Sequence, residues 1–236
     1  MACVDAIWRV HIQNKQLQTV QGGILDLFKI LRPKDSRKLA TKPTYRMLND
    51  GFHHLLEAEI LVCWEKVSDS LDVQTFVDGA PTWQEICTLS KQIRDIYLAR
   101  ASFEALRAND SQSLARDYLE ENKMLFRHDA MLYCVLVHAM NTGAVGVMED
   151  LLWLWVPIFH GCGKHKYTAH LSKFMRNLRD VYPPCLSQVV RMHWLCNPTG
   201  AEDGFRGIDW LVERNNLYTK VTWDSEQVYH DNLLTL

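Results

Sequence analysis

Four polar residues in the segment 208–221 are spaced so that one face of a helix would hold them all: Asp209, Glu213, Asn216 and Lys220. At about 100° per residue, they fall within roughly 60° of one another. Most other residues of the segment are apolar, and a helix that is apolar nearly all round is normally buried. The stripe therefore needs water or a ligand. Its two carboxylates, with Asp5 as a distant partner, would suit a divalent cation and phosphoryl chemistry. A solvated stripe is the alternative.

Histidines and cysteines between residues 160 and 196 have side chains that zinc accepts. His160 and Cys162 form one close pair, and His193 and Cys196 form another. Structural zinc is usually held by four such side chains, arranged as tight pairs joined by a spacer. The spacing here matches no standard zinc finger, and Cys196 lies beside apolar residues as a core thiol would. We therefore expect no bound metal. If a metal were bound, these four residues would be the candidate ligands.

The segment HGCGKHKY at 160–167 combines glycines and lysines ahead of a predicted helix. Backbone N–H groups at a helix N-terminus attract anions. The binding residues there would be Lys164, His165, Lys166 and Tyr167. The segment lacks the Lys-Ser/Thr ending of a P-loop, which argues against nucleotide binding through that motif. A turn with solvated lysines is the alternative.

Two basic clusters stand out in a chain whose formal net charge is −2. That charge argues against a protein whose whole surface is built to hold nucleic acid. The first cluster comprises Lys29, Arg32, Lys34, Arg37, Lys38, Lys42 and Arg46, and the second comprises Lys164, Lys166, Lys173, Arg176 and Arg179. Each predicts either a solvated face or a patch that contacts nucleic-acid phosphates.

Helices are the elements expected to position these residues. Apolar residues recur at helical spacing over 2–17, 23–31 and 45–67, and Thr82 with Glu85 forms a capping box that opens a helix to about 107. Further helices are predicted from a cap at Asp110 or Ser111 to about 141, before Pro157 (which ends or kinks its helix), and at about 165–180 and 184–196.

No alternating runs bounded by hairpin turns are present. The sequence therefore predicts an all-α or predominantly α fold, an irregular multi-helix domain with at most a minor β element. One domain over residues 1–236 is expected, with a subdivision near 108–112 as the alternative.

Cysteine usage predicts an intracellular protein. The seven cysteines are scattered, odd in number and mostly set in apolar helical patterns, which is typical of free thiols in a reducing compartment. No signal peptide is visible, and polar residues divide the apolar region 131–159 into a buried helical hairpin. We expect a nuclear or cytoplasmic protein that is neither secreted nor bound to a membrane.

Five strings in order carry a resemblance to a known family: ACVDAIWR (2–9), FHGCGKHKYTAHL (159–171), VYPP (181–184), WLCNPTG (194–200) and FRGIDWLVERNNLYTKV (205–221). They resemble an uncharacterised fungal family, a domain of unknown function common in multicopy, mobile-element-like genes of mushroom-forming fungi. Fuller members carry an upstream acidic motif. The resemblance therefore implies that this chain is the C-terminal part of a longer architecture.

The resemblance also suggests a descent from transposases with a ribonuclease-H-like core. Asp5 would then match the middle acidic position, and Glu213 or Asp209 the last, with Mg²⁺ or Mn²⁺ as cofactor. The first acidic strand is absent, so such a site could not close within this chain.

We therefore expect a helical remnant of a mobile-element protein that binds nucleic acid or protein and is not itself catalytic. The alternatives are a metal-dependent nuclease or transposase that still works, and a helical protein-interaction scaffold.

Overall fold

The computed structural model describes residues 2–14, 21–41, 43–68, 72–110, 117–209 and 211–219. These residues are mostly helical, and the only strands among them form a two-stranded antiparallel sheet. The predicted predominantly α fold with a minor β element is confirmed. No helix in the described ranges is long and apolar enough to cross a bilayer.

The helices, in chain order, are α1 (Ala2–His11), α2 (Ile24–Leu31), α3 (Ser36–Thr41), α4 (Tyr45–Val67), α5 (Val73–Asp78), α6 (Trp83–Ile93), α7 (Arg100–Asp110), α8 (Tyr118–Asn141), α9 (Val145–Gly161), α10 (His165–Arg176), α11 (Pro184–Met192) and α12 (211–219). A 3₁₀ turn (Pro33–Asp35) precedes α3, and π-helical turns extend α6 (Arg94–Leu98) and α10 (Asn177–Val181). Strands β1 (Leu195–Cys196) and β2 (Arg206–Gly207) pair with Leu195 opposite Gly207.

The chain divides into two compact units. The first comprises Met1–Cys134 with Ile158–Lys164, and the second comprises Val135–Pro157 with His165–Leu236. The expectation of one domain, or of a boundary near 108–112, stays a prediction.

Aromatic residues from α2, α4 and α8 form the centre of the first unit. Phe52 lies between Phe28 and Phe126 in edge-to-face contacts, with ring centroids 5.9 Å apart in both pairs. Helix α4 begins and ends where apolar periodicity predicts, and Thr44 caps it by accepting a hydrogen bond from the Met47 amide. Burial of these rings contributes to the stability of this unit.

A buried ion-pair network joins α4 to α8. Arg127 donates from Nη1 to Glu59 Oε2 (2.9 Å) and from Nη2 to Glu120 Oε1 (2.6 Å). Only 2% of the Arg127 side chain is exposed. Because a buried charge is tolerated only with partners, these bonds fix how the two helices meet.

A second buried polar network joins α1 to α8. His11 Nε2 lies 2.9 Å from Asp129 Oδ2, His11 Nδ1 lies 3.3 Å from Asn122 Oδ1, and His128 Nδ1 lies 3.1 Å from Asp129 Oδ1. Burial raises the pKa of Asp129, but hydrogen bonds from His11 and His128 outweigh it and hold that pKa below its ordinary value.

An Asp129→Asn variant is expected to lose about 2–3 kcal/mol of unfolding free energy at pH 7, because charge-assisted bonds to a buried group are lost. Since the folded-state pKa of Asp129 is depressed, the ionised carboxylate stabilises the fold above the unfolded-state pKa, and this contribution disappears as pH falls through the folded-state pKa. Urea unfolding between pH 7 and pH 2 should therefore give a flatter curve for the variant. Asp26→Asn is the control, since its pair with Lys29 is exposed and should matter much less. Curves with the same pH dependence in wild type and Asp129→Asn would contradict the assignment.

In the second unit, a turn at Gly143 ends α8. Gly143 has φ +75°, its amide donates to the Met140 carbonyl, and the Ala144 amide donates to the Ala139 carbonyl. This is the Schellman pattern that ends a helix. The ring of Phe205 packs against Gly143, and the Phe205 amide donates to the Asn141 carbonyl. The segment before β2 is thereby held to the end of α8.

Several predicted helix boundaries were wrong. The helix predicted to run to about 107 is interrupted at Ala99, whose backbone is extended, so α6 and α7 are separate helices. Helix α8 begins at Tyr118, and Asp117 caps it by accepting from the Glu120 amide at 3.0 Å. Of the two predicted caps, Asp110 is the last residue of α7, and Ser111 lies outside the described residues. Helix α9 continues through Pro157 to Gly161, so Pro157 does not end it, and a kink there stays a prediction. Helix α11 ends at Met192, because Leu195 and Cys196 pair with Gly207 and Arg206 as a strand.

Candidate nucleic-acid interface

The exposed side of α10 is basic along its whole length. Lys166, His170 and Lys173 recur at i, i+4 and i+7, and His165 and Arg176 extend the same side. At about 100° per residue, the five side chains cover an arc of roughly 140°. We call these residues, His165, Lys166, His170, Lys173 and Arg176, the basic face. All of them are exposed.

The basic face points to solvent because the opposite side of α10 is buried. Met175 and Leu178, in α10 and the π-helical turn that extends it, are almost fully buried, at 1% and 2% exposure. Their burial orients the helix, and the residues about half a turn away must point outward. The basic face is therefore a consequence of amphipathic packing.

Within the ranges that the structure describes, three cations of the basic face have no ion-pair partner: Lys166, Lys173 and Arg176. Arg179, the last basic residue of this cluster, lies 3.6 Å from Asp180 and is partly neutralised. The basic face thus has at least three charges available to an anionic ligand.

Aromatic side chains line one edge of the basic face. Tyr167 and Phe174 are seven residues apart, so they share a side of the helix, and on the wheel they lie about 40–60° beyond His170. The side chain of Tyr167 is 52% exposed. Phe174 is half-buried against Trp194, with ring centroids 5.1 Å apart. Helix α10 therefore presents a cationic surface with aromatic rings along one edge.

Lys164 lies beside the predicted catalytic residue Asp5 in the first unit. Asp5 Oδ2 accepts from Lys164 Nζ at 2.5 Å and from Arg9 Nε at 2.9 Å. Burial raises the pKa of Asp5, but the bonds from Lys164 and Arg9 outweigh it and hold that pKa below its ordinary value. Two cations already neutralise this carboxylate, which does not favour its use as a metal ligand. A groove of about 510 Å³ next to it is lined by Arg9, Val10, Gln13, Asn14, Gly161 and Cys162.

The glycine-containing turn before α10 is a helix end. Gly163 has φ +77°, its amide donates to the His160 carbonyl, and the Lys164 amide donates to the Phe159 carbonyl. This Schellman pattern uses the turn's amides inside α9, so they are not presented to an anion. Lys164, with 14% of its side chain exposed, is also not the solvated lysine of the alternative interpretation. His165, Lys166 and Tyr167 form the first turn of α10, and their role as binding residues stays a prediction.

The metal candidates are divided between the two units. His160 and Cys162 belong to the first unit, and His193 and Cys196 belong to the second. The Cys162 thiol lies 3.5 Å from the Phe159 carbonyl, and the Cys196 thiol lies 3.6 Å from the Arg206 carbonyl. Across the described part of the chain, no three His, Cys, Asp or Glu side chains are grouped so as to hold a metal ion.

The polar stripe that the sequence predicts lies on an exposed helix. Asp209, Glu213 and Asn216 are exposed, while Lys220 lies outside the described residues. The apolar residues Val212 and Leu217 are also more than half exposed, at 54% and 61%. The expectation that this helix is buried was therefore wrong for residues 212–219. Periodicity shows that a helix has apolar surface, but it does not show which neighbour covers it.

The proposed sharing of a metal by Asp5 with Glu213 or Asp209 stays a prediction. Asp5 belongs to the first unit, and the other two carboxylates belong to the second. Among the described side chains, the one predicted site residue that pairs with Asp5 is Lys164, which is a cation.

Sequence reasoning did not single out the two buried polar networks. A signal existed in α4, where Glu59 interrupts an otherwise apolar helical face, and in α8, where Glu120 and Arg127 are seven residues apart on one side. The structure also places His170 on the basic face, between Lys166 and Lys173 along α10.

Comparisons with known proteins agree with the expected membership of an uncharacterised family. Neither a curated protein nor a solved structure matches the chain. One family model matches residues 1–235 and is described as a family of unknown function (DUF6589). The resemblance carried by the motifs is confirmed to that extent, and the chain belongs to the family of unknown function DUF6589.

Proposed function

We propose that this protein binds nucleic acid through the basic face of α10 and is not itself catalytic. The observation that carries the proposal is the group of three exposed cations, Lys166, Lys173 and Arg176, on one side of a helix that has no acidic residue. Nucleic-acid phosphates are recognised by such clusters because each neutralised phosphate releases condensed counterions. A local patch also agrees with the near-neutral charge of the whole chain, −2.

The origin in mobile-element-like genes of fungi belongs to this proposal, and so does the placement of the chain as the C-terminal part of a longer architecture. Both rest on the resemblance of the motifs. The nuclease alternative is not favoured, because Asp5 is engaged by Lys164 and Arg9. To bind a metal ion, Asp5 would first have to lose its contacts with these two side chains.

A Lys166→Gln/Lys173→Gln variant is expected to bind a labelled oligonucleotide at least tenfold more weakly than wild type at low salt. For wild type, three phosphate contacts predict a slope of log affinity against log salt between about −2 and −3. For the variant, the one remaining contact predicts a slope of about −1. Fluorescence anisotropy titrations at several salt concentrations measure both quantities.

The matched control is Lys66→Gln/Lys91→Gln, which removes the same charge from exposed positions of the first unit. It should leave affinity within about twofold, since charges that are not in contact act only through a screened field. An equal loss in both variants would show non-specific attraction. A wild-type slope near zero would remove phosphate contacts from consideration and would leave the protein-interaction scaffold as the function to test.

A further inference from the structure

We infer that the basic face selects single-stranded nucleic acid, with Tyr167 as the platform on which one base stacks. This inference rests on the proposed function and identifies the class of ligand that the same surface takes. It follows from the position of the aromatic side chains relative to the cations.

The cations of the basic face reach only a short length of a nucleic-acid strand. Lys166 and Lys173 are seven residues apart, which is about 10 Å along the helix axis. In a duplex that length corresponds to about three nucleotides of one strand at 3.4 Å per nucleotide, and an extended single strand would place fewer phosphates along it. Contacts to so few phosphates give weak binding by themselves, so a useful affinity requires a further contribution from the same face.

Tyr167 lies at the edge of the basic face. Its side chain is 52% exposed although Met175 and Leu178, in the same helix and its π-helical extension, are fully buried. Tyr167 follows Lys166 directly and precedes His170 by three residues, so a strand whose phosphates contact the basic face would bring its bases to this ring. Phe174 continues the same edge and is fixed by its contact with Trp194.

An exposed aromatic ring can recognise the face of a nucleic-acid base. Every base has a π-face, and stacking on an aromatic side chain is a recurrent means of binding single strands without sequence preference. In a duplex the faces of the bases are covered by their neighbours in the stack. An extended duplex can therefore use the cations of the basic face but not the ring of Tyr167.

The test compares Tyr167→Leu, which removes the ring and keeps an apolar side chain, with Tyr167→Phe, which keeps the ring. The probes are a labelled oligothymidylate of about 20 nucleotides, longer than the site of a single binding module, and the corresponding dA·dT duplex. Wild type is expected to bind the single strand about tenfold more tightly than the duplex. Tyr167→Leu should lose about tenfold in affinity for the single strand and none for the duplex, while Tyr167→Phe should bind both probes as wild type does.

The outcomes separate this inference from the proposed function. If Tyr167→Leu binds both probes as wild type does while Lys166→Gln/Lys173→Gln loses both, stacking is excluded and phosphate binding stands. Equal losses of both probes in Tyr167→Leu, or wild-type binding that is no tighter for the single strand, also overturn the selection of single strands. If wild type binds neither probe, the proposed function fails and this inference fails with it. Thermal unfolding of each variant checks that the fold is kept, as the exposure of Tyr167 leads us to expect.

Discussion

An Arg127→Leu variant is expected to lose about 3 kcal/mol of unfolding free energy, because the buried Glu59 is left with Lys123, 3.7 Å away, and the partly buried Glu120 loses its short bond. Arg127 is 2% exposed, and its partner Glu59 is 8% exposed. Burial lowers the pKa of Arg127, but the hydrogen bond and charge of Glu120 help to outweigh it and keep the guanidinium charged. Leucine fills part of the space, yet it cannot donate the two bonds that Glu59 and Glu120 receive.

Equilibrium unfolding in urea measures this loss. The matched control is Arg100→Leu, which removes an arginine whose side chain is 83% exposed and which lies 2.9 Å from Glu104, itself 61% exposed. That change should cost less than about 1 kcal/mol, as exposed ion pairs do. Adding Glu59→Leu and Glu120→Gln to Arg127→Leu should recover much of the stability, since uncharged side chains of similar size are tolerated at buried ion-pair sites. If Arg127→Leu and Arg100→Leu proved equally mild, the network would not be a buried one.

A Gly51→Ala variant is expected to lose about 2–3 kcal/mol of unfolding free energy through overpacking in α4. A Cβ atom at position 51 would lie 1.9 Å from Cζ of Phe28 and 2.7 Å from its Cε1. Phe28 is 1% exposed and packs edge-to-face on Phe52, so its ring has little space into which to move. Alanine favours a helix over glycine by about 1 kcal/mol. The steric cost exceeds this gain, so the net change should be destabilising.

The control for this prediction should change stability in the opposite direction. Gly146 lies inside α9 with nothing within 4 Å of an added Cβ. Gly146→Ala should therefore raise the unfolding free energy by about 0.5–1 kcal/mol, through helix propensity alone. Combining Gly51→Ala with Phe28→Leu should relieve part of the loss, because the shorter side chain leaves space for the added methyl group. A stability of Gly51→Ala equal to or above that of wild type would show that Phe28 does not occupy this position.

Local signals in the sequence predicted much of the secondary structure. The bounds of α4 follow from its apolar periodicity, and the capping box of Thr82 and Glu85 forms as predicted. Both depend on side chains within a few residues of one another, so the sequence contains all the information they require. The break at Ala99 was missed. The end of α11 at Met192 was also missed, because it depends on the pairing of Leu195 and Cys196 with Gly207 and Arg206, which lie further along the chain.

The candidate site shows the same division between local and distant causes. The sequence identified the second basic cluster, and a helical spacing of Lys166 and Lys173 can be read directly from it. It could not distinguish Lys164 from Lys166, although the two are only two residues apart. The structure pairs Lys164 with Asp5 at 2.5 Å and leaves Lys166 exposed on α10.

The sequence by itself determined that this protein is helical and where its positive charges are concentrated, because helix periodicity and charge are properties of neighbouring residues. Only the tertiary structure decided which of those charges are neutralised and which apolar faces are covered. Arg127 became a buried cation because Glu59 approaches it from another helix, and Val212 and Leu217 stayed exposed although their helix is apolar. Ion pairing and burial depend on residues that the chain brings together from distant positions, and no local pattern specifies those partners.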